Sequence, residues 1–155
     1  MSKINTRSLS IFIDGAARGN PGPSGIGVVI RDAQGITIDN LSKYIGNATN
    51  NVAEYSALIF GMDGARKLGA EELVINTDSE LLAKQLGGEY KIKNAALKDL
   101  YSEVVELLGS FSEVKVNQIS REENKAADKL ANKAIDSAKK KKVGKSFMLK
   151  SRINK

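Results

Sequence analysis

The chain has 155 residues, of which 41% are hydrophobic and 27% charged, and these values predict one globular domain with a single core. It contains no cysteine and no histidine, which excludes disulfides, thiolate or imidazole metal sites and a histidine general base. Acid–base or metal chemistry must then depend mainly on carboxylates, which favour hard cations such as Mg²⁺ or Mn²⁺. No apolar run approaches the ~20 residues that cross a bilayer and no secretion signal is recognisable, so a cytoplasmic protein is expected.

The formal net charge of +6 is unevenly distributed along the chain. Residues 139–155 contain eight basic residues and no acidic ones. Residues 1–138 hold the other 16 basic residues and all 18 acidic ones, so this part of the chain is mildly acidic. We therefore expect one domain over residues 1–138, followed by a basic C-terminal tail over residues 139–155. The tail is either solvated and mobile, or a nonspecific tether for phosphate groups that weakens as salt is added.

Three strands are predicted in the first third of the chain. The segment Ser8–Asp14, SLSIFID, is rich in β-forming residues and predicts the first strand. The glycine-rich segment Ala16–Gly25 contains both prolines of the chain and predicts a loop. Gly25–Arg31 and Ile36–Ile45 predict the second and third strands, which a hairpin turn at residues 33–35 connects. Because the links are short, the three strands should be antiparallel neighbours.

Helices alternate with two further strands in the rest of the chain. Hydrophobic residues at helical spacing predict the helices, and two short apolar or alternating segments predict the strands. The pattern Thr77-Asp78-Ser79-Glu80 matches a capping box, in which Thr77 would cap a helix that ends at Gly87. In chain order the predicted elements are helix Asn50–Leu68, strand Leu73–Thr77, the capped helix, helix Ala95–Leu108, strand Val114–Ile119 and helix Glu122–Ala138.

The element order β-β-β-α-β-α-α-β-α predicts an α/β fold. In this fold a mixed five-stranded sheet carries helices on both faces, and its first, fourth and fifth strands are parallel. Ligands in such sheets bind at the carboxyl ends of the parallel strands. The residues that follow these strands are therefore the first candidates for a functional site.

Four acidic residues occupy positions that are unusual for a solvated charge. Asp14 ends the first strand, although an aspartate before glycine also forms turns. Glu54 is the only charged residue in NVAEYSALIFGM, and it either faces the sheet or lies at the edge of the buried stripe and reaches water. Asp78 follows the fourth strand, where the helix dipole alone would favour an acid. Asp128 lies inside a helix, where a neighbouring lysine or amide side chain can pair with it.

The predicted topology brings these four acids to one corner of the molecule. Asp14 and Asp78 end adjacent parallel strands, while Glu54 and Asp128 lie near the starts of helices that can point into the same corner. Four carboxylates in one corner would repel one another and raise each other's pKa values unless cations lay between them. Such a cluster suits a site for two cations ~4 Å apart that promotes phosphoryl displacement.

Four segments around these acids resemble the signatures of type 1 ribonucleases H. They are IDGAARGNPGPSGIG, TNNVAEYSAL, INTDSELL and REENKAADKLANKA, and they follow the family's order over roughly residues 8–138. The resemblance implies the ribonuclease H-like fold. It also implies an endonuclease that hydrolyses the RNA strand of RNA/DNA hybrids by two-metal-ion catalysis and leaves 3′-hydroxyl and 5′-phosphate ends. Asp14, Glu54, Asp78 and Asp128 would then be the catalytic ligands of Mg²⁺ or Mn²⁺.

The resemblance also assigns residues to substrate binding. Asn20 and Glu80 match positions that contact the minor groove of the hybrid, although several relatives have glutamine at the second position. Thr49 and Asn50 match a pocket for a DNA-strand phosphate, and Asn51 matches a groove contact. Small residues in the glycine-rich loop leave room for the backbone to approach a ribose. The candidate substrate-binding residues are Gly15, Asn20, Thr49, Asn50, Asn51 and Glu80.

The chain departs from the family pattern in two places. Many relatives carry a histidine in the loop before the last acid, whereas this chain has Ile119–Asn124 there and no histidine at all. Arg121 would stabilise charge on the phosphate, or Glu122 would replace the histidine, unless the glutamates only start a helix. The segment at residues 88–94 is too short for the basic, tryptophan-containing insertion of some relatives. A short form of the family is therefore expected.

Two other functions remain open at this point. The first is a broader nuclease that also cuts double-stranded RNA, because neither the histidine nor the insertion is present. The second is a noncatalytic nucleic-acid-binding domain, although such a domain would have no reason to retain four costly carboxylates. We expect a monomer with an RNA/DNA hybrid as its partner, and no membrane or disulfide partner.

Overall fold

The computed structural model describes residues 5–88 and 92–153, with side chains as far as residue 140. The predicted order of strands and helices is confirmed. The strands are β1 (Ser8–Ala17), β2 (Gly22–Arg31), β3 (Thr37–Ala48), β4 (Glu72–Thr77) and β5 (Glu113–Gln118). The helices are α1 (Asn50–Lys67), α2 (Glu80–Leu86), α3 (Ala95–Leu108) and α4 (Lys125–Ile153), and a short 3₁₀ turn (Glu122–Asn124) precedes α4.

The five strands form one mixed sheet in the order β3-β2-β1-β4-β5. β1 pairs antiparallel with β2, and β2 pairs antiparallel with β3. β4 lies parallel to both β1 and β5, as predicted. Ile13 of β1 is the register partner of Thr77, the last residue of β4, so Asp14 within β1 and Asp78 just after β4 lie side by side where the parallel pairing ends. The sheet register therefore brings the first and third acids together.

α1 and α4 pack against opposite faces of this sheet. Ile13 and Val28 point toward α1, where Gly61 leaves room for their side chains. Gly25 and Gly27 of β2 point toward α4, and a Cβ added at either position would overlap backbone atoms of that helix. The glycines thus allow α4 to lie directly on the sheet. The largest fully buried side chains lie mainly on the α1 side and include Ile11, Ile13, Tyr55, Leu58, Met62, Leu73, Ile75 and Leu82.

The loop predicted at Ala16–Gly25 is shorter than expected. β1 continues past Asp14 to Ala17 and β2 begins at Gly22, so only residues 18–21 connect the two strands. Ala17 pairs with Ser24, and the Arg18 backbone N–H donates to the Pro23 carbonyl oxygen at 2.9 Å. Sheet pairing overrides the local preference of glycine and proline for loops because each ladder hydrogen bond satisfies backbone groups that would otherwise be buried unpaired.

The capping role predicted for Thr77 is wrong. Thr77 is the last residue of β4 and pairs with Ile13 and Gln118, which excludes it from the start of a helix. Ser79 caps α2 instead, and its hydroxyl oxygen accepts from the Leu82 backbone N–H at 3.1 Å. Glu80 begins α2 and forms an exposed ion pair with Lys84 at 2.7 Å rather than completing a capping box.

The last helix also differs from the predicted Glu122–Ala138. Its first residues form the 3₁₀ turn, and the backbone of α4 then stays helical as far as Ile153, across the predicted boundary at residue 138. The other elements differ from the predicted ones only at their ends. Residues 89–91, in the segment where the family's insertion was expected to be missing, lie outside the described residues. In the part of the chain that the structure describes, no helix is both long and apolar enough to span a membrane.

Candidate active site

Asp14 lies on the central strand and is almost completely buried. Only 6% of its surface is exposed. It pairs with Gly27, and directly paired residues project to the same face of a sheet, so its side chain is on the α4 side. There it lies near Asp128, and this second carboxyl group helps to raise the pKa of Asp14. The aspartate is therefore a strand residue inside the sheet, and the turn-forming alternative does not apply.

Glu54 reaches the same place from the first turns of α1. Thr49 caps this helix, and its hydroxyl oxygen accepts from the Val52 backbone N–H at 3.2 Å. A Cβ added at Gly15 would overlap the Ala53 carbonyl group, so only glycine allows the start of α1 to lie this close to β1. The Gly15 backbone N–H donates to the Glu54 carboxylate. Glu54 thus faces the end of β1 rather than bulk water.

One oxygen of Glu54 has no partner among the residues that the structure describes. Glu54 Oε2 is buried and accepts no hydrogen bond from them. A buried carboxylate oxygen without a partner is costly. The arrangement therefore points to an additional cationic ligand at this oxygen.

Asp78 follows β4 and is held by a residue that the sequence analysis did not single out. Asn124, which is 1% exposed, donates from Nδ2 to Asp78 Oδ2 at 3.1 Å and to the Ile13 carbonyl oxygen at 2.8 Å. This amide connects the ends of β1 and β4 and fixes the orientation of Asp78. In the sequence, Asn124 is marked only by its place at the end of the loop before α4. That place does not distinguish it from an ordinary polar residue at a helix start.

Asp14, Glu54 and Asp78 form a compact cluster of carboxylates. Each offers one carboxylate oxygen, and these three oxygens lie within 4.8 Å of one another. Burial, then the charges of Glu54 and Asp78, raise the pKa of Asp14 to about 9. Burial and the charge of Asp78 raise the pKa of Glu54 to about 8. The Gly15 backbone and the nearby charge of Arg121 lower this pKa, but their effect is smaller. Bound cations would remove this repulsion and keep the acids ionised at neutral pH.

Asp128 lies at the margin of this cluster. It is on the first turn of α4, is exposed, and contacts Asp14 without joining the group of three. Its carboxylate accepts from Asn132 Nδ2 at 3.2 Å, and no ion pair with a lysine is found among the described residues. Asn132 Oδ1 in turn accepts from Arg18 at 3.3 Å, and Arg18 pairs with Asp136 at 2.7 Å. The sequence left a lysine or an amide side chain as the partner of Asp128, and in the structure the partner is the amide of Asn132.

These acids line an open cleft of about 780 Å³. Arg121 and Glu122 line it too, as does Lys125, which the sequence analysis did not assign. Asn20 and Thr49 are not among the lining residues: Thr49 caps α1, and Asn20 Oδ1 accepts from the Asn50 backbone N–H at 3.0 Å. The lining residues are Asp14, Gly15, Ala16, Asn50, Asn51, Glu54, Asp78, Ser79, Glu80, Arg121, Glu122, Lys125 and Asp128.

The donor set of the cleft suits hard divalent cations. It consists of carboxylate oxygens, with no imidazole and no thiolate in the chain, and one of these oxygens, Glu54 Oε2, is buried without a partner in the described part of the chain. Arg121 and Lys125 add positive charge at the rim of the same cleft. The cleft can therefore accept a phosphate group beside the bound cations.

Comparison with known proteins gives the same picture along most of the chain. A family model described as Reverse transcriptase-like matches residues 12–134. Bifunctional protein Rv2228c of Mycobacterium tuberculosis is 45% identical over 129 residues, which are 83% of this chain and 35% of that protein. Ribonuclease HI of Halobacterium salinarum is 38% identical over 127 residues, which are 82% of this chain and 64% of that protein. The chain thus spans about a third of the first relative and just under two thirds of the second.

A solved structure extends the likeness to three dimensions. The structure of LC11-RNase H1 in complex with RNA/DNA hybrid is 42% identical to this chain and matches it with a TM-score of 0.80. The match covers 84% of this chain and 98% of that one. With the family model, the sequence relatives and the sheet topology in agreement, the chain belongs to the type 1 ribonuclease H family.

Proposed function

We propose that this chain is an endonuclease that hydrolyses the RNA strand of RNA/DNA hybrids with the help of two divalent cations. The observation that carries this proposal is the cluster of Asp14, Glu54 and Asp78, whose carboxylate oxygens lie within 4.8 Å of one another at the carboxyl ends of parallel strands. A partly buried cluster of carboxylates without cations is destabilising. The same cluster is useful to a protein that must bind divalent cations.

The cations would be held by Asp14, Glu54 and Asp78, with Asp128 at the margin. Magnesium is the proposed ion, with manganese as the alternative, because the available ligands are all hard oxygen atoms. When bound, the cations supply positive charge that stabilises the attacking and leaving oxygens of the phosphoryl transfer.

The residues of the chain orient these ligands and the phosphate. Gly15 fixes the Glu54 carboxylate through its backbone N–H, and Asn124 fixes Asp78 through its side-chain amide. Arg121 lies close enough to Glu54 to lower the pKa of that acid, and it lines the cleft, where its guanidinium neutralises charge on the scissile phosphate. Arg121 therefore takes over charge stabilisation in a chain without histidine.

The reaction is a hydrolysis with a balanced exchange of bonds. The oxygen of a water molecule forms a bond to phosphorus, and the bond between phosphorus and the 3′ oxygen of the preceding ribose breaks. One proton of the water is lost, and the departing 3′ oxygen gains one. The products are a 3′-hydroxyl and a 5′-phosphate.

The hybrid would lie across the cleft and the start of α1. Gly15, Asn50 and Asn51 line the cleft, while Asn20 holds the Asn50 backbone N–H and Thr49 caps α1. Exposed Asn50 and Asn51 side chains are suited to hydrogen bonds with a groove or a phosphate. A strand with 2′-hydroxyls beside one without them is the feature that distinguishes a hybrid from either pure duplex.

Glu80 also lines the cleft, but it is exposed and paired with Lys84. As an anion it suits nucleic acid less well than a neutral residue, so its proposed groove contact depends on the ion pair to offset its charge. The proposal further includes a monomer in the cytoplasm, with residues 139–155 as a basic extension of the catalytic domain.

The test uses end-labelled RNA that is annealed to DNA, annealed to RNA or left single-stranded, with Mg²⁺, Mn²⁺ or EDTA present. Asp14→Asn protein, purified in parallel, controls for contaminating nuclease. The proposal predicts metal-dependent internal cuts in the hybrid alone, which the variant does not make. Cuts in double-stranded RNA as well would indicate a broader nuclease. Binding of the hybrid without any cutting would contradict the proposal and indicate a binding domain.

A further inference from the structure

The outer surface of α4 carries two adjacent stripes with different partners. Asp128, Asn132 and Asp136 follow one another at a spacing of four residues, and each takes part in the hydrogen bonds that connect Arg18 to the cleft. Lys125, Lys129 and Lys133 follow at the same spacing, and residues four apart lie on the same side of a helix. The first stripe is internally paired. The second stripe is exposed.

Two of these lysines line a groove beside the sheet. Lys129 and Lys133 border a groove of about 310 Å³ together with Arg31 of β2, and we call these three residues the α4 cationic patch. Nonpolar and small polar side chains complete the lining of the groove. The other lining residues are Val29, Thr37, Asn40, Ala126 and Leu130.

Arg31 is held in place within this patch. Its guanidinium carbon lies 4.5 Å from the centre of the Phe12 ring, and its Nε donates to Thr37 Oγ1 at 3.4 Å. A guanidinium that is stacked on an aromatic ring loses less freedom when it binds an anion. The patch therefore contains one preorganised cation and two flexible ones.

Among residues 5–88 and 92–140, no carboxylate forms an ion pair with any of the three cations of the patch. This is notable in a region of the chain, residues 1–138, where acidic residues outnumber basic ones. The two acids of the same helix stretch, Asp128 and Asp136, belong to the paired stripe. Three cations on one groove without a carboxylate repel one another and create a positive potential that attracts an anionic ligand.

We propose that the α4 cationic patch binds the sugar–phosphate backbone of the nucleic acid where it continues beyond the active-site cleft. This inference depends on the proposed function for the identity of the substrate. Lys125 lines the cleft, and Lys129 and Lys133 continue the same stripe over about 12 Å of helix axis. The cations thus form a track that starts at the site of reaction.

An extended polyanion fits this surface better than a single small anion. The lysines are about 6 Å apart along the helix, so a ligand with regularly repeated charges can contact them in turn. The nonpolar lining residues Val29, Ala126 and Leu130 can contact the sugar carbons between two phosphates. No base-reading groups are required, and the contact is independent of sequence.

The experiment compares two double variants of the full chain with the parent. Lys129→Gln/Lys133→Gln removes two charges from the patch. Lys67→Gln/Lys115→Gln removes two charges elsewhere, one at the end of α1 on the other face of the sheet and one on the edge strand β5. Binding of a 20-base-pair RNA/DNA hybrid is measured in EDTA over a series of salt concentrations, and the unfolding temperatures verify that all three proteins are folded.

The patch variant should bind the hybrid roughly tenfold more weakly at low salt, and the slope of log affinity against log salt should fall by about two. The control variant should retain the slope of the parent. Equal slopes for patch variant and control, with all proteins folded, would overturn the proposal. A parent that binds the hybrid but cuts nothing in Mg²⁺ would instead contradict the proposed function, and the binding comparison would still decide whether the patch contacts nucleic acid.

Discussion

Gly15 of β1 and Ala53 of α1 lie so close together that a single added carbon on Gly15 would overlap the Ala53 carbonyl group. The same approach places the Gly15 backbone N–H on the Glu54 carboxylate. The distance between the first two acids of the cluster is thus set by the absence of a side chain. The position of a catalytic ligand depends here on backbone packing as much as on the ligand itself.

Gly15→Ala should therefore slow cleavage strongly although every acid remains. The methyl group pushes the start of α1 away from β1, and a displacement of about 1 Å in a catalytic group lowers the rate on the order of 100-fold. The overpacking should also lower the free energy of unfolding by about 1–3 kcal/mol. The measurement is hybrid cleavage at saturating substrate, with Gly87→Ala as the control, since Gly87 has a φ of −79° and an added Cβ there would meet no atom closer than 3.5 Å. Full activity of Gly15→Ala would show that the close approach is dispensable.

The raised pKa values of Asp14 and Glu54 predict how stability depends on pH when no divalent cation is bound. The folded protein retains protons on these acids up to pH about 9 and about 8, whereas the unfolded chain releases them near pH 4. The folded state binds more protons over this range, so its stability should fall as the pH rises from about 4 to about 9. Asp63 and Asp136, whose pKa values are lowered by basic neighbours, have the opposite effect near and below pH 4.

Asp14→Asn isolates this contribution. In EDTA the variant should be more stable than the parent at pH 8 by about 1–3 kcal/mol, and the difference should shrink toward pH 5. The measurement is thermal unfolding between pH 5 and 9, where Mg²⁺ should then stabilise the parent much more than the variant. If the unfolding temperatures of the two proteins in EDTA changed with pH in parallel, Asp14 would be ionised in the folded protein without help from a cation.

Asn124 should be required for the orientation of Asp78. Asn124→Ala removes the hydrogen bond to Asp78 and leaves the Ile13 carbonyl oxygen without this donor. Loss of a residue that orients a metal ligand typically lowers activity or metal affinity 10- to 100-fold. We expect the concentration of Mg²⁺ for half-maximal activity to rise, with the KM for the hybrid nearly unchanged. A change in KM alone, at an unaltered Mg²⁺ requirement, would assign Asn124 to substrate binding instead.

The sequence was sufficient to predict the fold and the proximity of Asp14 and Asp78, because both follow from general rules of α/β architecture. Hydrophobic periodicity defines the elements, and the ends of parallel strands lie at the same edge of a sheet. Local rules were less reliable where the sheet competes with them. Thr77 matches a helix cap, yet its place in β4 is decided by pairing with two neighbouring strands.

Asn124 and the Arg18–Asn132–Asp128 hydrogen bonds were beyond sequence reasoning for a different reason. Each depends on the contact of segments that are far apart in the chain, such as β1 with the turn before α4. Nothing in the local pattern distinguishes a buried asparagine from an exposed one. Asn124 ends the turn directly before α4, and the glycines of β2 allow that helix to lie on the sheet.

The basic residues after residue 138 should strengthen substrate binding without affecting catalysis. α4 continues through this region, so replacing Lys139, Lys140, Lys141 and Lys142 with glutamine preserves the helix-forming tendency and removes only charge. We expect a higher KM for the hybrid, a weaker dependence of KM on salt and an unchanged kcat. A KM and a salt dependence equal to those of the parent would mean that this region is simply solvated.

The central claim is that the carboxylate cluster of Asp14, Glu54 and Asp78 holds the cations with which the protein cuts the RNA strand. The most direct measurement is the rate at which the parent, Glu54→Gln and Glu113→Gln proteins cut the RNA of an end-labelled hybrid in Mg²⁺. Glu54 has a buried oxygen without a hydrogen-bond partner among the residues that the structure describes, whereas Glu113 is exposed on β5 outside the cleft. We predict a loss on the order of 1,000-fold or more for Glu54→Gln and a rate within about twofold of the parent for Glu113→Gln. Undiminished, metal-dependent cutting by Glu54→Gln would contradict the claim.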